Sequence, residues 1–258
     1  MKNIPPLALV AGFLVIFLGL FFGLYVLLTR DRRRMMREIR EGVAAQGWRY
    51  RLQRWQGNPT AFRIDGKTHG ALGWVMTSGN TRGYDKGWST VLGVRVAILG
   101  GEVDFAMLPR GTGHRFAGAS GTVSPRVEAR VAAFSGAIAS GLDFFQNAQE
   151  LPSGLAAFDA AYEVLVLPKQ FGKPPVDAAL GERILHWPAD TITPHSMIAW
   201  RDAFGLHVDA RLPAPANWGA ILHLASLTED LCARIPAPLQ SAAPPTFFDR
   251  AVARILEP

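Results

Sequence analysis

The chain has 258 residues, of which 49% are hydrophobic, a formal net charge of +6 and a single cysteine. The lone Cys232 excludes an internal disulfide framework and agrees with a reducing compartment. Residues 1–40 carry +5 of the net charge, whereas residues 41–258 contain 20 basic and 19 acidic residues. A nucleic-acid-binding domain would spread its basic patch over a folded face, so this distribution argues against nucleic acid as a partner.

Residues 1–30 are predicted to contain a membrane-spanning helix. No charged residue occurs between Asn3 and Thr29, and the densest apolar part, 7–28, is 22 residues long. A helix of that length spans about 33 Å, enough to cross a hydrocarbon core of about 30 Å. A cleaved signal peptide has a shorter apolar region and then a small-residue cleavage site, and none follows this run. We therefore predict an uncleaved, single-pass anchor.

Four small residues in the span predict a face for helix packing. They are Ala8, Gly12, Gly19 and Gly23, at spacings of 4, 7 and 4. The spacing of Gly19 and Gly23 allows two helices to approach closely, which favours contact with another subunit or a second copy. Because glycine is frequent in membrane-spanning helices, a chance spacing is the alternative.

A basic segment, 31–47, follows the span. The arginines at this junction are Arg30, Arg32, Arg33, Arg34, Arg37 and Arg40. Arginines just after a span mark the cytoplasmic side, so we expect the N-terminus outside and the C-terminal domain in the cytoplasm. Attraction to lipid headgroups is a secondary effect, worth about 1 kcal/mol per cation. Met35, Ile39 and Val43 recur at helical spacing, which predicts an amphipathic helix on the membrane surface or on the domain, ended by Gly47.

Residues 48–149 are predicted to form a mainly antiparallel β subdomain that ends in a helix. Alternating apolar residues predict strands at 48–52, 60–65 and 72–77, followed by a polar loop at 78–87. The stretch 89–108 predicts a hairpin about Gly100-Gly101, with Val94, Val96 and Ile98 on one arm and Val103, Phe105 and Met107 on the other. Ser124 and Pro125 then predict the start of a helix.

Residues 150–235 are predicted to form a β-α-β-β-α subdomain. Strand 161–167 and helix 175–187 precede a hairpin about 203–205, and Asn217 is predicted to cap a helix over 218–235. The core face of that helix is predicted to hold Ile221, Leu222, Ala225, Leu231 and Ile235. Residues 236–258 are predicted to form a proline-rich linker and a short helix over 246–256. The fold class that results is α+β, an apolar helix before an antiparallel sheet with packed helices.

Partner docking is predicted at two places. Trp48 and Trp55 follow the anchor among arginines and could touch headgroups or a partner near the membrane. Phe248, Val252 and Ile255 share the apolar face of the terminal helix, which is too short to be stable alone. That face is expected to pack on its own domain or on a neighbouring protein.

Candidate chemistry in the chain is sparse, and we expect no catalytic residue, cofactor or metal. The glycine-rich loop 110–122 could cradle a phosphate, but it lacks the spacing of the known phosphate-binding loops. His186 and His195 flank a loop with Asp190, and His207 and Asp209 share one strand face, yet polar surfaces produce such pairs by default. Cys232 is predicted to be a buried, inert thiol.

The segments WSTVLGVRVAILGGEVDFAMLPR (88–110) and FDAAYEVLVLP (158–168) resemble those of bacterial membrane-anchored proteins of unknown function. The resemblance implies a bacterial inner-membrane protein with a cytoplasmic domain, and it carries over no catalytic residue. The chain is thus expected to be a non-catalytic accessory or scaffold subunit of a membrane complex, with another subunit or its own copies as partner. The alternative is a membrane-tethered enzyme or ligand-binding domain that uses the loop 110–122.

Overall fold

A computed structural model describes residues 6–53, 61–67, 73–82, 88–97, 104–110, 144, 147–167, 171–202 and 205–236. The helices in these ranges are α1 (Pro6–Ala45), α2 (Ala156–Ala161), α3 (Ala178–Leu185) and α4 (Trp218–Arg234). The strands are β1 (Arg49–Leu52), β2 (Phe62–Lys67), β3 (Gly73–Arg82), β4 (Trp88–Val96), β5 (Phe105–Pro109), β6 (Gln149–Glu150), β7 (Tyr162–Val166), β8 (Ser196–Asp202) and β9 (Gly205–Leu212). The α+β class predicted from the sequence is confirmed.

The described strands form one antiparallel sheet in the order β1-β2-β3-β4-β9-β8-β5-β7-β6. Strands from both predicted subdomains, 48–149 and 150–235, therefore pair within a single sheet. The division of the chain into those subdomains stays a prediction. The predicted helix that begins at Ser124, the linker from 237 and the terminal helix over 246–256 lie outside the described residues.

The predicted pairing of β4 with β5 is wrong. The hairpin of β8 and β9 lies between them, so β4 pairs with β9 and β5 pairs with β8. Val94, Val96, Phe105 and Met107 are nevertheless all buried, as the alternation predicted. Apolar alternation determines which face of a strand is buried, but it does not determine which strand lies beside it.

The prediction of a polar loop at 78–87 is also wrong for residues 78–82. Strand β3 continues through this sequence to Arg82, which pairs with Trp88 of β4. Ser78 is only 4% exposed, and its hydroxyl accepts a hydrogen bond from the backbone N–H of Phe62. A polar residue is tolerated within the buried strand because its hydrogen-bonding capacity is used.

Helix α4 covers one face of the sheet. Asn217 caps it as predicted, since its side-chain oxygen accepts a hydrogen bond from the N–H of Ala220 at 2.9 Å. The side chains that α4 buries are Ala220, Ile221, Leu224, Ala225, Leu227, Thr228 and Leu231, followed by Ile235 just beyond its end. Leu222, predicted to be in the core, is 38% exposed because it lies on the outer side of the helix.

A buried ion pair on the covered face joins β8 to Asp104, the residue before β5. Arg201 is 1% exposed, and its guanidinium binds the carboxylate of Asp104 through two nitrogens, with Nε at 2.7 Å from Oδ1. Arg201 also donates to the carbonyl of Pro236 after α4, and it lies over the ring of Phe171. A two-point pair of this kind satisfies both charges and sets the relative position of the two strands and the end of α4.

Candidate functional site

The most informative feature is the continuity of α1, which extends over 40 residues from the apolar segment into the domain. It is the described helix that is long and apolar enough to cross a membrane. Large apolar side chains from Phe13 to Val26 are exposed, as expected for a segment that needs lipid or another helix around it. The helix has no break at the arginines, because they are good helix formers and no proline or glycine interrupts them.

The last turns of α1 pack on the domain. Ile39 is fully buried and Val43 is 1% exposed, while Met35 and Met36 are partly buried against the same core. The apolar residues of the amphipathic segment thus contact the domain. The helix ends at Ala45, and Gly47 takes φ 68°, a left-handed conformation that reverses the chain at low cost.

A tryptophan cluster fills the junction of α1 with the sheet. Trp48 lies edge-on to Trp74 at 4.7 Å between ring centroids and 5.8 Å from Trp218. Trp218 in turn occupies the space that a side chain at Gly42 would need, since a Cβ there would lie 2.3 Å from its ring. Gly42 thus allows α1 and α4 to approach closely. Trp48, a predicted docking residue, is half-buried in this cluster.

The predicted arginines form an exposed collar around α1 between its apolar part and the domain. Arg30, Arg33, Arg34, Arg37 and Arg40 are exposed, and Arg32 is half-buried. Arg34 pairs with Glu38 one turn later, at 2.9 Å. The guanidinium of Arg40 lies 5.4 Å from the ring centre of Tyr50 on β1. Strand β1, whose Arg49 and Arg51 are exposed, contacts α1.

The remaining predicted interaction residues divide into two groups. A Cβ added at Gly19 or Gly23 meets nothing within 4 Å, so within the described chain this face of α1 is open to another helix. Ala8 and Gly12 belong to α1, but their surroundings are outside the described part of the structure. The other predicted docking residues, which are Trp55, Phe248, Val252 and Ile255, also lie outside it.

A second candidate lies on the other face of the sheet, where His207 and Asp209 share one side of β9 as predicted. His207 is 7% exposed and stacks on Trp200 of β8 at 4.7 Å with an angle of 2° between the rings. Its Nε2 is 3.0 Å from Oδ1 of Asp202, whose other oxygen accepts a hydrogen bond from Trp200 Nε1. His207 Nδ1 is buried, and none of the described residues forms a hydrogen bond with it.

Asp209 is the most perturbed carboxyl group in this region. Burial raises its pKa to about 6, although the charges of His207 and Arg95 act in the opposite direction. Gly93, its cross-strand neighbour, leaves room for the carboxylate, because a Cβ there would lie 2.7 Å from Oδ1. No group of three or more possible metal ligands occurs among the described residues. The arrangement is a packed polar cluster around an imidazole, with one acid that titrates near neutrality.

The other chemical candidates are dispersed. His186 is exposed and lies 3.1 Å from Glu182, and His195 and Asp190 are exposed on the loop that follows. Arg110, the first residue of the glycine-rich loop, pairs with Glu150 at 2.5 Å, and the rest of that loop is outside the described residues.

Cys232 is partly buried on α4. Burial raises the pKa of its thiol to about 12, so it stays protonated and poorly nucleophilic near neutral pH. The prediction that this cysteine is inert agrees with that value.

The Gly42 contact can be tested by adding a side chain. We expect Gly42→Val to lower the free energy of unfolding by about 1–3 kcal/mol, because the new methyl groups collide with the Trp218 ring. Ala44→Val, on the exposed side of the same helix end, should cost less than about 1 kcal/mol through helix propensity alone. Denaturant unfolding of the detergent-solubilised protein measures both, and equal losses would contradict the contact.

Asp209 predicts a pH dependence of stability. Its folded pKa of about 6 lies above its ordinary 3.8, so the folded chain binds this proton more tightly than the unfolded chain. The penalty for the carboxylate is absent at low pH, grows as pH rises through these values, and is complete above about pH 6. Asp209→Asn should therefore stabilise the protein by about 1–3 kcal/mol near neutral pH and much less near pH 4. Asp190→Asn, at an exposed aspartate, is the control, and a gain independent of pH would refute the assignment.

Comparisons with known proteins add one structural likeness. No protein-family model and no curated protein matches the chain. The crystal structure of the mycobacterial trehalose monomycolate transport factor A, TtfA, is similar over 81% of this chain and 99% of that chain, at 12% sequence identity and a TM-score of 0.41. These values are too low to transfer a function from that protein to this one.

Proposed function

We propose that this chain is a single-pass, non-catalytic accessory or scaffold subunit of a membrane protein complex. The N-terminus lies outside, and the domain lies on the cytoplasmic side of a bacterial inner membrane. The observation that carries the proposal is that one helix, α1, has exposed apolar side chains at its start and fully buried side chains near its end. The domain is therefore joined to the span without a flexible linker.

The short junction supports a position of the domain close to the membrane. Contact with the core begins at Met35, five residues beyond Arg30, which corresponds to about 7.5 Å along a helix. Because α1 is held by the core through Ile39 and Val43, rotation or tilt of the span is transmitted to the sheet. A subunit that positions or senses a neighbouring membrane protein requires a connection of this kind, whereas a tether that only recruits an enzyme to the membrane does not.

The span supplies the proposed partner contact. Gly19 and Gly23 present backbone on one side of α1, and their open surroundings would admit a helix of another subunit or of a second copy. Without a hydrophobic driving force between helices in lipid, close backbone packing at small residues is a main source of affinity. The second hypothesis, an enzyme or ligand-binding domain that uses 110–122, stays a prediction.

Orientation can be measured with engineered cysteines. In a Cys232→Ala background, we expect Ala44→Cys, an exposed position at the end of α1, to react with a membrane-impermeant maleimide only after the cells are opened. The reason is that the arginines after the span favour the cytoplasmic side. A cysteine placed at Asn3 should react in intact cells. The reverse labelling pattern would refute the proposed topology.

Partner contact can be tested at the glycines. Replacing Gly19 and Gly23 together with leucine should reduce recovery of co-purifying membrane proteins, or of a second tagged copy, by about tenfold, since the loss of a close helix contact costs on the order of 1–2 kcal/mol. The matched control replaces Phe17 and Phe21 with leucine, on the opposite face of the helix. Equal recovery from both variants and the unchanged protein would remove the glycines from the interface.

A further inference from the structure

Strand β1 runs back along α1 toward the membrane end of the helix. After the reversal at Gly47, the N–H of Trp48 donates to the carbonyl of Val43 at 3.0 Å. Two residues later, Tyr50 lies beneath the guanidinium of Arg40. Successive residues of the strand thus lie beside progressively earlier residues of the helix. The end of β1 points toward the apolar part of α1.

The heights of these residues follow from the geometry of the helix and the strand. Arg40 is ten residues beyond Arg30, or about 15 Å along a straight helix. Leu52 is two strand residues beyond Tyr50, which brings it about 6.6 Å back toward the membrane. For a strand that runs along the helix axis, Leu52 lies about 8.4 Å on the domain side of Arg30, where the apolar part of α1 ends. The hydrogen bond from Gln53 N–H to the Ala61 carbonyl closes the β1–β2 pair just beyond it.

Leu52 is unusually exposed for its place in the strand. Its side chain is on the same face of β1 as that of Tyr50, which packs against the core, yet Leu52 is 56% exposed. Outside the apolar part of α1, the described large hydrophobic residues with comparable exposure are Leu52 and, to a lesser degree, Leu222. Among the described residues, the core cluster does not include Leu52, which leaves more than half of this residue exposed.

Positively charged residues lie near Leu52 on β1 and on the neighbouring strand β2. Arg49 and Arg51 are exposed on the opposite face of β1 from Leu52. Arg63, on β2, is the cross-strand neighbour of Arg51. Arg51 and Arg63 share one carboxylate, that of Asp65, at 3.7 and 2.7 Å. Arg49, Arg51 and Arg63 outnumber the single carboxylate of Asp65, so the strand pair keeps a positive charge.

We propose that the membrane-facing end of β1, formed by Leu52 with Arg49 and Arg51, binds the surface of an anionic bilayer. With the span tilted so that β1 approaches the membrane, as membrane helices commonly are tilted, Leu52 enters the boundary between headgroups and acyl chains, and the arginines bind lipid phosphates. An apolar insertion combined with adjacent cations is the combination of signals that gives stable interfacial binding. The inference rests on the proposed anchoring of α1. It extends membrane contact from the helix to the folded domain and thereby determines the tilt of the sheet.

The test uses the full chain in vesicles and a fluorescent probe on single cysteines in a Cys232→Ala background. Leu52→Cys reports on the proposed contact. Ala45→Cys is the matched control, because it lies at the far end of the same helix, about 22 Å beyond Arg30. A third probe at Phe17→Cys reports insertion of the span. Vesicles of brominated phosphatidylcholine, with or without phosphatidylglycerol, quench probes that reach the acyl chains.

We expect quenching at position 52 in vesicles that contain phosphatidylglycerol, with little at position 45. Arg49→Glu with Arg51→Glu should reduce the ratio of quenched to unquenched probe at 52 by about tenfold or more, since each cation near an anionic surface contributes about fivefold in affinity. High salt should act in the same direction, because it screens these charges.

Equal signals at 52 and 45, or quenching at 52 that is indifferent to lipid charge, would overturn the inference while quenching at 17 upheld the anchor. Absence of quenching at 17 would overturn the proposed anchoring itself, and the inference with it. Thermal unfolding of the Arg49→Glu, Arg51→Glu protein determines whether that variant is folded.

Discussion

The burial of Ile39 and Val43 against the sheet is the contact on which the rest of the arrangement depends. Full burial of such side chains contributes about 1.5–3 kcal/mol each, enough to hold the end of α1 in a single position. Because the helix is continuous, the same contact determines where the arginines and the apolar segment project from the domain. Without it, the direction of α1 relative to the sheet would be undefined.

Gly42 and Gly47 make this contact geometrically possible. Gly42 allows the Trp218 ring to reach the α1 backbone, so that α1 and α4 lie close together over the sheet. Gly47 turns the chain back, which places Trp48 between Trp74 and Trp218 and starts β1 along the helix. One glycine therefore supplies close approach and the other a left-handed backbone, and the tryptophans fill the space between helix and sheet.

Local sequence patterns predicted the positions of most helices and strands well. Apolar alternation located most strands, the Asn217 cap located the start of α4, and the uncharged run located the apolar helix. Strand order was not predictable in this way, because Gly100-Gly101 suggested a hairpin while the β8–β9 pair lies between β4 and β5. The order depends on burial shared by distant segments, and no local pattern encodes it.

In the candidate sites, too, local features were predictable from the sequence and contacts between distant residues were not. The sequence places His207 and Asp209 on one face, but it does not reveal that Trp200 and Asp202 across the strand pair hold the imidazole. Gly42 appears in the sequence as a weak point in a helix, because its partner Trp218 is far away along the chain. The arginines after the apolar run are evident in the sequence, whereas the contact of Arg40 with Tyr50 on β1 depends on the reversal at Gly47.

The central claim is that α1 passes from the membrane into the core as one rigid helix. Hydrogen exchange of backbone amides, measured on the full chain in lipid nanodiscs, tests it most directly. A continuous, rigid α1 should show slow exchange from Arg30 through Ala45, without a gap and with protection near that of the central strands β4 and β9. Rapid exchange confined to residues 30–35, between a protected span and a protected domain, would reveal a hinge and contradict the account.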